Sequence, residues 1–101
     1  MKVSISIKEL MHLVSTSSMV LVIDVRDTEE FKTKRLPFAG HMPLADIEAG
    51  HYIPDEGKTI ITVCNKGGGR SEKAANYLRE HFANPVYYLE GGQEAWFQQM
   101  S

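Results

Sequence analysis

Residues 59–75 constrain the fold of this chain more than any other segment. A run of β-branched residues at 60–63 leads to Cys64, the only cysteine among 101 residues, and three glycines and Arg70 follow within six positions. Beyond Arg70, an alanine-bearing pattern with helical spacing starts near Ser71. This order predicts a strand, a glycine-rich loop and a helix, as in parallel α/β sheets.

The loop after Cys64 has the composition of an anion site. Glycines at positions 67–69 can adopt positive φ without steric cost, so consecutive backbone N–H groups can turn toward one point. The predicted helix adds the positive end of its dipole, and Arg70 adds a planar cation that suits tetrahedral oxyanions. A cysteine in such surroundings ionises more readily than a free thiol. We therefore interpret Cys64 as a reactive thiol; the alternative is a buried strand-end cysteine beside a flexible loop.

The composition fits one compact domain over residues 1–101. The hydrophobic fraction of 43% and the net charge of −2 provide for a single core and give no basic surface for nucleic acid or an anionic membrane. A single cysteine excludes an internal disulfide and a multi-thiolate metal site. The strongest apolar run, residues 19–23, is too short to span a bilayer. We expect a soluble protein of a reducing compartment, which in a bacterium is the cytoplasm.

Strand and helix patterns alternate along the chain. Strands are predicted at residues 3–7, 19–23, 41–44, 60–63 and 86–89. Asp27 and Glu30 form a capping-box pattern for a helix over 28–34, Asp46 opens a helix that ends near Gly50, and another helix spans 71–83. The alternation predicts an α/β fold with a central, mostly parallel five-stranded sheet and helices on both faces.

The predicted sheet brings three chemistry-bearing residues to one edge. Cys64, Asp24 and Arg26 each follow or end a buried strand. Ligands of such sheets bind beyond the carboxyl ends of the strands, which supports a site at this edge.

The cysteine segment resembles the active-site loop of rhodanese-like domains, in which a cysteine carries sulfur as a persulfide. The resemblance covers about residues 5–96 and is strongest in three motifs: D-V-R followed by E-E-F, the cysteine loop running into R-S-x-x-A-A, and G-G-x-x-A-W. It implies a rhodanese-like fold. One departure is that five residues, not four, separate Cys64 from Arg70, a spacing similar to that of cell-cycle tyrosine phosphatases and arsenate reductases of the same fold.

The alignment of residues 34–44 with the family pattern G-H-I-P-G-A has two solutions. Matching Gly40 and His41 to its first two residues requires an insertion after Phe31, whereas an ungapped alignment places Lys34 and Arg35 there. We prefer the ungapped alignment. It predicts that residues 41–44 form the next strand and that His41 is a strand residue near the surface with no catalytic role.

The resemblance implies a thiosulfate sulfurtransferase-like enzyme. Cys64 would take sulfur from a donor such as thiosulfate and pass it to cyanide, a small thiol or a protein thiol. No cofactor is implied, and we expect a monomer. The active loop is expected to bind the substrate through Asn65, Lys66, Gly67, Gly68, Gly69 and Arg70. Four residues are expected to support the site: Asp24, Arg26, Arg35 and Ser71.

Arg70 has two possible roles in this interpretation. It could bind the anionic part of the donor, or lock the loop through backbone carbonyls. For Asp24 and Arg26, a structural salt bridge is the stronger interpretation. Gly91, Gly92 and Trp96 are interpreted as a tight turn into the last helix and a packing residue.

Two alternative functions remain open from sequence. The five-residue spacing favours a phosphatase or arsenate reductase, but loop residues 65–69 contain no carboxylate to act as a general acid, and no second cysteine is present. The other alternative is a non-catalytic interaction or carrier module. Retention of Cys64 argues against it, because such relatives commonly lose the cysteine.

Overall fold

A computed structural model describes residues 3–100 of the chain, in which five strands alternate with five helices. In chain order these are β1 (Ser4–Ile5), α1 (Ile7–Thr16), β2 (Val20–Asp24), α2 (Thr28–Thr33), β3 (Gly40–His41), α3 (Leu44–Glu48), β4 (Thr59–Val63), α4 (Arg70–His81), β5 (Val86–Leu89) and α5 (Gly92–Met100). All strand pairs are parallel, and the order across the sheet is β1-β5-β4-β2-β3. The predicted α/β class with a five-stranded parallel sheet is confirmed. Across residues 3–100, the helices are too short or too polar to cross a membrane.

The central strand β4 is buried on both faces and separates two apolar clusters. On one face, Ile61 and Val63 pack with Leu10 of α1 and Trp96 of α5. On the other, a second cluster joins β4 to α3 and α4. Because successive side chains of a strand point to opposite faces, one short strand supports both layers. Cys64 follows β4 directly and is therefore held by the most buried element of the sheet.

Helix caps explain where the predicted boundaries shift. Ser6 forms a capping box with Glu9, so Ile7 is the first residue of α1 and the predicted strand at 3–7 ends early. Asp27 and Glu30 form the predicted capping box of α2, which ends at Thr33. In α4 the helix begins at Arg70 and ends at His81, two residues before the predicted end.

The third strand is shorter and earlier than predicted. β3 is Gly40–His41 and not residues 41–44, because α3 begins at Leu44, directly after Pro43. His41 pairs with Asp24 across the sheet, its Nε2 lies 2.8 Å from the carbonyl oxygen of Arg26, and its ring stacks on Phe31. These contacts place His41 in a strand, as the ungapped alignment expects.

Candidate active site

Cys64 lies at the base of the loop between β4 and α4. The residue is only 4% exposed, yet it lines a cavity of about 540 Å³ that opens to solvent above the loop. Its Sγ lies 3.1 Å from Ser71 Oγ and 3.0 Å from the carbonyl oxygen of Gly68. The other residues that line the cavity are Asn65, Lys66, Gly67, Gly68, Gly69, Arg70 and Glu94.

Hydrogen-bond donors around the sulfur favour its anionic form. Burial by itself raises the pKa of Cys64, but the Ser71 hydroxyl and the backbone amides of Ser71, Gly67 and Gly68 outweigh burial, and the net shift lowers the pKa. An anion site was expected from the amides of residues 65–70. Of these residues, Gly67 and Gly68 contribute amides to the sulfur, and Ser71, one residue beyond the expected range, contributes a third. Ser71, expected to support the site, supplies two of its donors.

The loop glycines differ in conformation. Gly67 and Gly69 have positive φ, at +79° and +49°, whereas Gly68 does not. A Cβ atom at Gly67 would lie 2.3 Å from the backbone nitrogen of Gly91, but one at Gly68 would meet nothing within 4 Å. The expectation that all three glycines would use positive φ is thus wrong for Gly68, and Gly67 is the position that requires glycine.

The start of α5 braces the loop from its other side. The amide of Gln93 donates to the carbonyl oxygen of Cys64 at 2.9 Å, and the amide of Glu94 donates to that of Asn65 at 3.0 Å. Gly92 allows this approach, since a Cβ there would lie 2.6 Å from the Cys64 oxygen. The sequence interpretation assigned the glycine pair to a turn and missed this contact. The two consecutive glycines at the start of a predicted helix were the sequence signal that could have indicated a close backbone approach here.

Asp24 and Arg26 form a buried ion pair beneath the loop. Arg26 Nη2 lies 2.7 Å from Asp24 Oδ2, and both side chains are almost fully buried. The Arg26 guanidinium also donates to the side-chain oxygen of Asn65 at 3.2 Å and to the Lys34 carbonyl at 2.5 Å. The ion pair thus contacts the first loop residue after Cys64, and the supporting role expected of Asp24 and Arg26 stays a prediction.

Arg70 is paired with Glu30 of helix α2. Its two terminal nitrogens reach the two carboxylate oxygens at 2.5 and 3.1 Å. These contacts tie the loop to α2 through an ion pair, and of the two roles considered for Arg70, binding of the donor and a lock through backbone carbonyls, both stay predictions. Chiefly through the hydrogen bond from Arg70, the pKa of Glu30 falls to about 2. From the sequence, Glu30 was interpreted as a helix cap and as part of the E-E-F motif, and its contact with Arg70 was not predicted.

Two cationic side chains from the predicted set differ in position. Lys66 is exposed at the loop tip and lines the cysteine cavity. Arg35 is exposed, donates to the Phe31 carbonyl at 3.3 Å and lies over the Phe31 ring. It is outside the set of residues that line the cavity, and the support expected of it stays a prediction. The ungapped alignment placed it at the family's histidine position, but position in an alignment does not fix side-chain direction.

Comparison with known proteins identifies the family. Residues 6–99 match the sequence model of the rhodanese-like domain. The chain belongs to this family. Among its relatives, thiosulfate sulfurtransferase GlpE of Shewanella oneidensis is 30% identical over 93% of this chain and 91% of its own length. The putative sulfur carrier protein YrkF of Bacillus subtilis is 27% identical over 91% of this chain and 49% of its own length.

A solved structure supports the rhodanese-like fold. The human single-domain sulfurtransferase TSTD1 superposes with a TM-score of 0.85 at 20% identity, covering 97% of each chain. At that identity the likeness concerns the fold alone. Relatives also differ in architecture, since the chain spans about half the length of the first curated relatives it matches.

Proposed function

We propose that this rhodanese-like domain is a sulfurtransferase that carries sulfane sulfur as a persulfide on Cys64. The observation that carries the proposal is the convergence of the Ser71 hydroxyl and three backbone amides on a thiol whose pKa they lower. The relatives named as a thiosulfate sulfurtransferase and a putative sulfur carrier protein support the same chemistry. The acceptor would be cyanide, a small thiol or a protein thiol.

The first half-reaction forms the persulfide. With thiosulfate as donor, the Cys64 thiolate attacks the outer sulfur, a new S–S bond forms, and the S–S bond of thiosulfate breaks. The bonding electron pair leaves with sulfite, so the persulfide retains one negative charge. Preorganised amides of Gly67, Gly68 and Ser71 are positioned to stabilise charge on the sulfur without reorganisation of solvent.

The second half-reaction returns the enzyme to its starting form. Cyanide or a thiolate attacks the terminal sulfur of the persulfide, the enzyme S–S bond breaks, and its electron pair restores the Cys64 thiolate. The products are thiocyanate or a new persulfide, and no net oxidation or reduction of the protein occurs. The lowered pKa of Cys64 makes its thiolate a good leaving group. The same lowered pKa increases the fraction of Cys64 that is ionised and able to attack the donor.

Intact mass spectrometry tests the proposal directly. After incubation with thiosulfate, we expect a gain of one sulfur atom that cyanide removes, and no such gain in Cys64→Ser. The same protein should release thiocyanate over many turnovers. Absence of the mass gain with thiosulfate, a thiosulfonate and an organic persulfide would contradict a sulfur-carrying cysteine and would favour the non-catalytic alternative.

A second candidate function is hydrolysis of phosphate esters. Two features favour it: the five-residue spacing to Arg70, and Glu94, a carboxylate residue that lines the cysteine cavity although it lies outside the loop. In that reaction Glu94 would protonate the leaving group. Release of phosphate from an aryl phosphate that depends on Cys64 and is lost in Glu94→Gln would establish this function. If the wild-type protein releases no phosphate, this function is eliminated.

A further inference from the structure

Glu30 connects the two ends of the active loop. Its Oε2 accepts from the Asn65 side-chain amide at 2.9 Å and from Arg70 Nη2 at 3.1 Å, and its Oε1 accepts from Arg70 Nη1 at 2.5 Å. Oε1 also accepts from the Asp27 amide at 3.2 Å within the capping box. One carboxylate therefore makes four hydrogen bonds, and the short helix α2 is fixed against the loop.

This pairing changes the charge that the cysteine cavity presents. Arg70 lines the cavity and is electrostatically coupled to Cys64. A free guanidinium there would bind a tetrahedral dianion through paired N–H groups. In this structure the two terminal nitrogens instead face a carboxylate of opposite charge. Binding an oxyanion through those nitrogens requires that Glu30 be displaced or that two anions share one cation.

We propose that Glu30 is a specificity-determining residue that neutralises Arg70 and thereby discriminates against tetrahedral dianions in the Cys64 cavity. The donors that contact the sulfur itself are neutral, the Ser71 hydroxyl and the loop amides, and suit a single sulfur atom of low charge, whereas the cation of Lys66 is at the exposed loop tip. The preferred donors are then monoanionic sulfane-sulfur compounds such as thiosulfonates or organic persulfides, ahead of dianionic thiosulfate. This donor preference rests on the proposed function, whereas the anion discrimination does not.

Alkylation of Cys64 tests the discrimination without any sulfur transfer. Iodoacetamide is neutral and iodoacetate is anionic, so the ratio of their rates reports how the cavity receives negative charge. In Glu30→Gln we expect the ratio of the iodoacetate rate to the iodoacetamide rate to rise roughly fivefold over the wild-type ratio, because Arg70 loses its carboxylate partner and can attract the anionic reagent. Inorganic phosphate should also protect the variant from iodoacetamide at lower concentration than it protects the wild type.

Glu29→Gln is the matched control. Glu29 lies in the same turn of α2, is exposed, and its change removes the same formal charge without removing a partner of Arg70. Its rate ratio should stay at the wild-type value. In an Arg70→Met background, Glu30→Gln should have no further effect on the ratio, because the cation it unmasks is gone. An equal ratio in wild type and Glu30→Gln, with both proteins folded, overturns the proposal.

Donor kinetics then separate this inference from the function itself. If the protein transfers sulfur, Glu30→Gln should lower the KM for thiosulfate several-fold and change the KM for benzenethiosulfonate much less. A merely structural role for Glu30 would impair both donors alike, mainly in kcat. If the alkylation ratio changes but neither donor loads Cys64, the discrimination holds and the proposed function fails.

Discussion

At the scale of single residues, the sulfur of Cys64 owes its reactivity to its immediate donors. Its side-chain partner is the Ser71 hydroxyl, whose oxygen lies 3.1 Å from Sγ on a residue that is fully buried in the first turn of α4. Burial alone would make the thiol less acidic, so the reactive state depends on these few hydrogen bonds.

Removing the Ser71 hydroxyl should therefore raise the pKa of Cys64. In Ser71→Ala, the pH profile of alkylation by iodoacetamide should shift to higher pH, because the hydroxyl lowers the pKa of Cys64 in the folded protein. At neutral pH we expect the alkylation rate to fall by roughly three- to tenfold, since only the thiolate reacts. Ser15→Ala, an exposed serine that bonds the His12 carbonyl, serves as the control. An unshifted profile in Ser71→Ala would show that the amides alone set the acidity.

At the scale of elements, the active loop is shaped by its contact with the start of α5. Gly67 approaches Gly91 and Gly92 so closely that no side chain fits between them, and its φ is positive. Sequence reasoning located the loop and its glycines, because glycine content is a local property. It did not distinguish Gly67 from Gly68, because the distinction depends on a neighbour more than twenty positions away.

The two adjacent glycines offer a matched pair of variants. Gly67→Ala should destabilise the protein by about 2–3 kcal/mol, through strain at positive φ and a clash with the α5 backbone. Gly68→Ala should stay within about 0.5 kcal/mol of the wild type, because its Cβ would enter open space. Urea denaturation midpoints measure both. Similar losses for the two variants would show that the loop does not hold the described conformation.

At the scale of the whole molecule, the predictions that rest on local sequence patterns were sound, whereas a contact made across the sheet was not predicted. The buried strands, the α2 cap and the β5 strand were recognisable because each depends on a periodic pattern or a capping pair. The ion pair between Glu30 and Arg70 joins residues 40 positions apart. It could not be predicted from spacing, because it exists only once β2 and β4 are adjacent in the sheet.

The same ion pair makes stability depend on pH. The pKa of Glu30 falls from 4.5 to about 2 on folding, so its contribution is complete above about pH 4.5 and is lost as the pH falls through about 2. Because the pair is about a third exposed, solvent screening limits its contribution to roughly 1 kcal/mol. Glu30→Gln should be less stable than the wild type at pH 7, and the difference in urea midpoint should vanish near pH 2. A difference that persists at pH 2 would contradict this linkage.

The near-complete burial of Cys64 affects how accessible the transferred sulfur atom is under the proposed function. The bare sulfur lies at the floor of the loop and borders the cavity with little exposed surface, but a second sulfur would extend it by about 2 Å, the length of an S–S bond. That atom would stand in the open cavity, within reach of an incoming nucleophile. Under the proposed function, the terminal sulfur of the persulfide would therefore be easier for an acceptor to reach than the bare thiolate is for a donor.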